Sequence, residues 1–254
     1  MLNEPNQPQV SLITPTRGRE VFLPLAYACL QAQEYADFEW LILDDSPTPS
    51  RFIQSINDHR IRYEHESTPR PNGLKRNDLM KKARGKYIIQ IDDDDYYSPA
   101  YVQYVVDRLS DGVDIMSMCG FFLYTRVHKL LGYWDTRQPG FAQKWGTKPV
   151  KYLLFDERNE ALIKRNSYGY GFSFAFRREV QELSQFGNAP WGSDYGFIKE
   201  IVDKGGLFTS YLDTRGLALH FLHKDSVSNC FPNFVLPPFM LKSVFPELGE
   251  AWLT

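Results

Sequence analysis

The sequence predicts an α/β protein with one mostly parallel central sheet flanked by helices. Three observations carry that expectation. Short apolar runs alternate with longer amphipathic stretches over the first 119 residues. Three of those runs, beginning at Val10, Phe38 and Tyr87, end in polar clusters. Turn and cap residues separate the runs at spacings suited to strand–helix–strand crossovers, which are right-handed in parallel sheets.

In order, Val10 to Thr14 reads as a strand and Glu20 to Gln33 as a helix with Pro24 near its start. Phe38 to Leu43 is a second strand, Ser50 to Asn57 a weak helix and Ile61 to His65 a short strand. Gly73 to Ala83 is a helix, with Gly85 expected as its left-handed terminator. Tyr87 to Ile91 is the next strand, and Ser98-Pro99 opens a helix to Leu109 with serine as cap and proline at the first turn. Val113 to Cys119 follows as a strand. Residues 120–171 are aromatic and basic without clean periodicity, and such a length points to function. Phe172 to Phe176 resumes as a strand, Arg178 to Gln185 and Ser193 to Lys204 as helices, and Leu207 to Tyr211 and Leu217 to Phe221 as strands. These segments form one domain over 1–229, in two halves at 8–119 and 120–229. The apolar, proline-broken tail 230–254 is expected to pack on the domain, close as a lid or contact a second copy.

The acidic run Asp92-Asp93-Asp94-Asp95 directly follows the Tyr87 strand. Carboxylates so close repel by about 1 kcal/mol per pair even in water, and a divalent cation at the strand end removes the conflict. In an open parallel sheet ligands sit beyond the carboxyl ends of the strands. There Pro15, Thr16 and Arg17 end the first strand, and Asp44 and Asp45 the second. An Asp45 carboxylate can accept a hydrogen bond from the imide N–H of uracil, although Asp-Asp-Ser also favours a plain turn. Neither a Gly-x-Gly-x-x-Gly nor a P-loop motif follows any strand, which argues against nicotinamide dehydrogenases and P-loop NTPases.

Bulk properties narrow the class. The 254 residues are 43% hydrophobic and 24% charged, with a formal net charge of −2. No global basic field exists for gripping nucleic acid. The cluster of Lys75, Arg76, Lys81, Lys82 and Arg84 reads first as a solvated helix face. Three scattered cysteines give neither a zinc spacing nor a disulfide framework, as suits a reducing cytosol. No apolar run reaches the ~18 residues of a membrane span and no signal peptide is visible, so a cytoplasmic location is expected, with peripheral membrane contact and a homodimer left open.

Seven pieces, in order, resemble a family 2 glycosyltransferase of the GT-A (Rossmann-like) fold from Val10 to about Ser228. They are the opening strand with Pro15-Thr16-Arg17, the strand ending Asp44-Asp45-Ser46, Arg76-Asn77-Asp78 leading into Ala83-Arg84-Gly85-Lys86-Tyr87-Ile88, and the aspartate run with Pro99. Phe174 to Val180, Trp191-Gly192-Ser193-Asp194-Tyr195 and His223-Lys224-Asp225-Ser226-Val227-Ser228 complete them. Two departures stand out: Pro-Thr-Arg-Gly-Arg replaces the commoner Pro-x-Tyr-Asn, and Asp-Asp-Ser-Pro replaces Asp-Asp-Gly-Ser. The Gln-x-x-Arg-Trp element of processive synthases is missing, which favours single transfers.

The resemblance implies a nucleotide-binding half at 8–119, an acceptor half at 120–229, and transfer of a sugar, with inversion, from a nucleotide diphosphosugar (UDP-linked by expectation) to an acceptor hydroxyl on a saccharide, lipid-linked glycan or peptide. Asp194 is the implied general base, with Ser193 as its helix cap. Asp94 and Asp92, with His223, are implied to hold Mn²⁺ or Mg²⁺. Pro15, Thr16, Arg17, Asp44, Asp45, Arg76, Asp92 and Asp93 are implied donor contacts, and Trp191 can stack on a sugar. His220 reads as structural. A sugar-nucleotide nucleotidyltransferase, a non-catalytic nucleotide- or carbohydrate-binding module and a nucleic-acid-modifying sugar transferase remain as alternatives.

Overall fold

The computed structural model describes residues 7–146, 149–188, 193–224, 226 and 229–253, with Ser193 described by its backbone alone. Five segments open the sheet and its cover: β1 (Val10–Thr16), α1 (Leu23–Gln31), β2 (Phe38–Asp44), α2 (Arg51–Ser55) and β3 (Ile61–His65). α3 (Asn72–Lys82), β4 (Tyr87–Gln90), β5 (Tyr96–Tyr97), α4 (Tyr101–Ser110) and β6 (Ile115–Thr125) follow. β1 pairs in parallel with β2 and β4, and β2 with β3. Every residue of β2 is buried, the mark of a strand covered on both faces.

Strand periodicity sorts the side chains into two layers. Leu12, Trp40, Ile42 and Ile89 pack toward α1 and α4 through Leu23, Ala26, Val102 and Val105. Ile13, Leu41, Leu43 and Ile88 pack the other way, against Leu79 and Met80 of α3 and against α6 (Ser193–Asp203) through Phe197 and Ile201. The expected crossovers are therefore present in the first half, and they set the carboxyl ends of β1, β2 and β4 along one edge.

Residues 120–171 depart from the expected irregularity. The β6 strand runs on to Thr125, and β7 (Leu130–Asp135) returns antiparallel beside it. A two-stranded hairpin of β8 (Gly140–Lys144) and β9 (Lys151–Phe155), then α5 (Glu160–Asn166), completes the stretch. The later strands are β10 (Ala175–Arg177), β11 (Phe208–Leu212), β12 (Ala218–Leu222) and β13 (Phe234–Leu236), and α7 (Met240–Val244) follows them. β10 lies between β4 and β6, antiparallel to both, so the sheet is mixed. β11 and β12 pair in parallel with successive parts of β6. β5, the two residues directly after the aspartate run, pairs with β12.

Three local expectations are corrected. Gly85 is not a left-handed terminator, because α3 ends with Ala83 already extended and Gly85 lacks a positive φ. It is glycine because a Cβ would lie 2.5 Å from Ser11 N and 2.6 Å from Val10 C, where the chain crosses β1. Nor does Ser98 cap α4: the helix begins at Tyr101, and the Gln33 Oε1 atom accepts from Val102 N at 3.0 Å instead. The segment Arg178 to Gln185 forms only a 3₁₀ turn over Arg178–Glu182, and Phe172 lies in another at Gly171–Ser173.

The tail packs into the body. β13 pairs with β7, and Leu241, Phe245, Leu248 and Trp252 are buried in a third cluster with Tyr96, Phe122 and Phe221. The Trp252 ring stacks on Phe221 at 5.1 Å and meets the Tyr96 ring edge-on at 6.0 Å. Among the described residues no helix is long and apolar enough to cross a membrane.

Candidate active site

The β1 exit turns sharply. Gly18 takes φ +64°, a left-handed conformation that glycine adopts without steric cost, and its N–H donates to Ser46 Oγ at 2.7 Å. That turn throws Arg19 back over the aspartate run, where Nη2 stands 3.3 Å from Asp94 and Nε 3.7 Å from Asp93. Thr16 holds Asp93 directly, its hydroxyl donating to Oδ2. Arg17 is half exposed at the cleft mouth, 3.9 Å from Asp45.

Asp44 and Asp45 are buried at the end of β2. The Asp44 carboxylate accepts from Ser46 N at 2.9 Å and Tyr63 Oη at 2.7 Å. Asp45 accepts from Lys75 Nζ and from Arg70 N, each at 2.6 Å. Lys75 is 1% exposed and also donates to Thr16 O at 3.0 Å, so it ties β1, β2 and α3 together from inside. Burial pulls its ammonium pKa down, against the opposing pull of Asp45. The basic face of α3 is thus divided: Lys81, Lys82 and Arg84 are exposed, whereas Lys75 and Arg76 point inward. A neighbouring buried carboxylate, invisible in the local sequence, decides which lysine turns in.

The four aspartates divide in the same way. Asp92, Asp94 and Asp95 each offer an oxygen within 4.8 Å of the others, a grouping that can hold a metal ion. Asp95 is fully buried; its oxygens accept from Phe221 N at 2.8 Å and lie 2.8 Å from His220 Nδ1. The His220 ring stacks on Phe172 at 4.9 Å. Asp94 Oδ2 lies 2.9 Å from His223 Nε2. Burial pushes the Asp92 carboxyl up to about 7, with Asp95 and Asp94 adding to the rise and Arg76 opposing it. Burial and Asp94 hold Asp93 well above the usual carboxylate range. Asp94 goes the other way: burial would raise it, but His223 and Arg19 together hold it below its ordinary value. The cluster, Asp92 and Asp93 above all, thus carries a demand for positive charge that Arg19, Arg76 and His220 only partly satisfy. Hard oxygen donors of this kind suit Mn²⁺ or Mg²⁺.

Asp194 opens α6 and reaches the same cleft. Its Oδ1 accepts from Arg76 Nη1 at 2.5 Å, and Arg76 Nη2 stands 3.8 Å from Asp92. Its Oδ2 lies over Gly171, where an added Cβ would come within 2.4 Å. Burial alone would lower the Arg76 pKa, yet Asp194 and Asp92 raise it overall. The cleft between these groups holds about 230 Å³ and is lined by Pro15, Arg17, Arg19, Arg76 and Asp92 to Asp94, among others. Pro15, Thr16, Arg17, Arg76, Asp92, Asp93, Asp94, His223 and Asp194 therefore gather at one sheet edge, while Asp44 and Asp45 lie just beneath it. Trp191, the Ser193 side chain, Val227 and Ser228 lie outside the described residues. Sequence reasoning missed Arg19, Lys75 and the Asp95–His220 pair.

Residues 11–183 match the family model for glycosyl transferase family 2. The chain belongs to glycosyl transferase family 2. A relative from Escherichia coli K12, a putative colanic acid biosynthesis glycosyl transferase, is 33% identical over 98 residues, covering 37% of this chain and 35% of its own. An uncharacterised glycosyltransferase of Haemophilus influenzae is 30% identical over 202 residues, covering 78% of this chain and 73% of its own. The chain spans about a third of the length of several curated relatives that it matches. The crystal structure of Staphylococcus aureus TarS 1-349 in complex with UDP-GlcNAc superposes with a TM-score of 0.61 at 15% identity, covering 86% of this chain and 60% of TarS. At that identity the likeness concerns the fold, and it places this family 2 member among GT-A structures.

Proposed function

We propose that this family 2 protein is an inverting glycosyltransferase that moves a sugar from a nucleotide diphosphosugar, UDP-linked, to an acceptor hydroxyl. The observation that carries the reading is the shared Arg76 guanidinium, which sets the Asp194 carboxylate beside the Asp92 end of the acidic cluster.

Asp92 and Asp94, with His223 against Asp94, would hold Mn²⁺ or Mg²⁺. When bound, such a cation supplies Lewis-acid stabilisation of charge on the departing diphosphate. The chain's own residues have separate tasks. Asp93 is fixed by Thr16 and Arg19, which sets the floor of the cleft. Arg17 and Arg19 present guanidinium groups suited to phosphate oxygens. Pro15 and the buried Asp44–Asp45 pair shape the side on which the base would lie; a uridine sugar is the first donor to test because the TarS fold neighbour carries UDP-GlcNAc. Asp194 Oδ2 would accept the proton of the acceptor hydroxyl as it attacks, a contribution of about 10²- to 10⁴-fold. With the leaving group held by the aspartate run and the base on the far side of Arg76, attack from the face opposite the diphosphate gives inversion.

Thermal unfolding with UDP, Mn²⁺ and both together tests the reading. Ligand at 100 times its Kd adds about 2.7 kcal/mol of stability, and UDP is expected to do so only with the metal. Asp94→Ala should remove that dependence while leaving the melting cooperative. Stabilisation by UDP that ignores the metal in both proteins would overturn the assignment. Pyrophosphate release from a nucleoside triphosphate and a sugar phosphate would instead mark a nucleotidyltransferase.

A further inference from the structure

We propose that the β8–β9 hairpin and the β13–α7 segment form a docking face for an anionic membrane surface. Eight of the twelve exposed large hydrophobic side chains among the described residues fall within 141–162 and 234–239. They are organised rather than scattered. Phe141 and Leu154 are cross-strand partners, and Tyr152 lies two residues from Leu154 along β9, so all three share one face of the hairpin. On that face Phe141 is 76% and Tyr152 75% exposed. On the opposite face Ala142 and Phe155 are buried, whereas Lys151 and Leu153 are exposed. The hairpin is joined to the tail by main-chain bonds: Gln143 N donates to Pro232 O at 3.0 Å, and Trp145 and Cys230 bond each other in both directions. The tail adds Phe234 and Phe239, the latter 74% exposed.

Charge selects the occupant. Residues 137–165 carry seven basic against three acidic residues, and 229–241 carry none of either sign. The remaining chain has 22 basic against 28 acidic residues. Lys144 and Lys151 are cross-strand partners on the other face of the hairpin from Tyr152, near its turn, and Lys151 is exposed. Aromatic rings beside lysines, on a protein otherwise acidic, match an interface of acyl chains and anionic headgroups. A second copy presenting the same face would set like charges against each other, which weakens a symmetric pair. The face is also firmly tied to the cleft. From Asp95 a column of rings runs through His220, Phe172, Phe121, Trp134, Phe231 and Phe155, with centroids 4.9 to 5.7 Å apart along the aromatic steps. Docking would therefore fix the orientation of the cleft to the bilayer, whatever sugar is transferred.

Flotation of the full chain with lipid vesicles tests the proposal. Vesicles of phosphatidylcholine with phosphatidylglycerol should carry the protein upward, and vesicles of phosphatidylcholine alone should carry much less. A Phe141→Ser/Tyr152→Ser/Phe239→Ser variant should lose roughly tenfold in partitioning, and Lys144→Glu/Lys151→Glu should lose only the preference for the anionic lipid. Val21→Ser/Leu207→Ser, exposed elsewhere, should float as the parent does. Unchanged melting temperatures and an unchanged response to UDP with Mn²⁺ would show that the variants fold. Failure of the parent to float on anionic vesicles, or flotation of the triple variant equal to the parent, would overturn the proposal. So would a concentration-dependent dimer, seen by sedimentation velocity without lipid and abolished in the triple variant. None of these outcomes bears on donor chemistry, which the UDP measurement judges separately.

Discussion

Arg76 Nη1 lies 2.5 Å from Asp194 Oδ1, joining α3 to α6 across 118 positions of sequence. The same guanidinium stands 3.8 Å from Asp92, so one buried cation serves a carboxylate at each end of the cleft. Its orientation is fixed from a third side by the Phe186 ring, 5.3 Å from the guanidinium carbon. The distance between the two carboxylates is thereby set by an arginine rather than by either backbone.

Asp194→Asn should reduce sugar transfer by about 10²- to 10⁴-fold and leave the UDP-dependent melting shift intact. Gly171→Ala approaches the same group from outside. The new methyl would sit 2.4 Å from Asp194 Oδ2 and 3.1 Å from Arg76 Nη2, forcing the carboxylate aside. Its expected signature is a lower kcat with little change in nucleotide affinity, read by steady-state kinetics. A Gly171→Ala enzyme with parental kcat would remove the positional requirement on Asp194.

Acidity should act on the metal response in a defined direction. The Asp92 carboxyl is pushed up to about 7 by burial, and a metal ligand must first lose its proton. Stabilisation by Mn²⁺ should therefore shrink as pH falls from about 8 to about 6. The metal-free protein should move oppositely. Its folded state holds the Asp92 proton more tightly than the unfolded chain does, so protons are taken up on folding between roughly pH 4 and 7, and stability falls as pH rises through that window. Burial would lower His220, but Asp95 together with Cys230 raises it in the folded state, so it adds in the same sense, with its contribution lost as pH rises through its folded value. The depressed Asp94 contributes in the other sense, losing stability only in more acid solution. Melting curves at the two pH values, with and without Mn²⁺, would reveal the crossing trends.

Lys75→Met should be among the costliest substitutions. It leaves Asp45 fully buried without its cation, a loss of about 3–5 kcal/mol for a broken buried pair. Lys75→Met/Asp45→Asn should recover much of that loss, because the remaining group is neutral and still able to accept from Arg70 N. Urea unfolding of the two variants separates the outcomes.

The first half of the fold was legible because its signals are local. Val10 to Thr16 and Phe38 to Asp44 are short apolar runs closed by polar residues, and their parallel pairing needs no information from afar. β10 was legible as a strand but not in direction, since Ala175 to Arg177 slots between β4 and β6 only through pairings made elsewhere. The hairpin and β7 were hidden because apolar residues stand side by side on both faces, as Leu153 and Leu154 do in β9 and Leu130 and Leu131 in β7, which blurs the period of two. At the site, the residues at strand ends could be named from their position alone. Lys75 could not, because its partner Asp45 is 30 residues away and its neighbours on α3 carry the same charge. Asp95 and His220, separated by 125 residues, leave no local trace of their pairing.

The two-residue ribbon that clips Tyr96–Tyr97 to Ala218–Leu219 bears on biosynthesis. A nascent chain that had emerged only through β5 would display all four aspartates with neither His220 nor His223 yet made to pair with them. The acidic rim is completed only when residues more than 120 positions downstream leave the ribosome, and contacts of such long sequence separation form slowly. Maturation of the cleft accordingly waits for those downstream residues, and premature stops upstream of residue 220 would yield fragments whose aspartates lack their histidine partners.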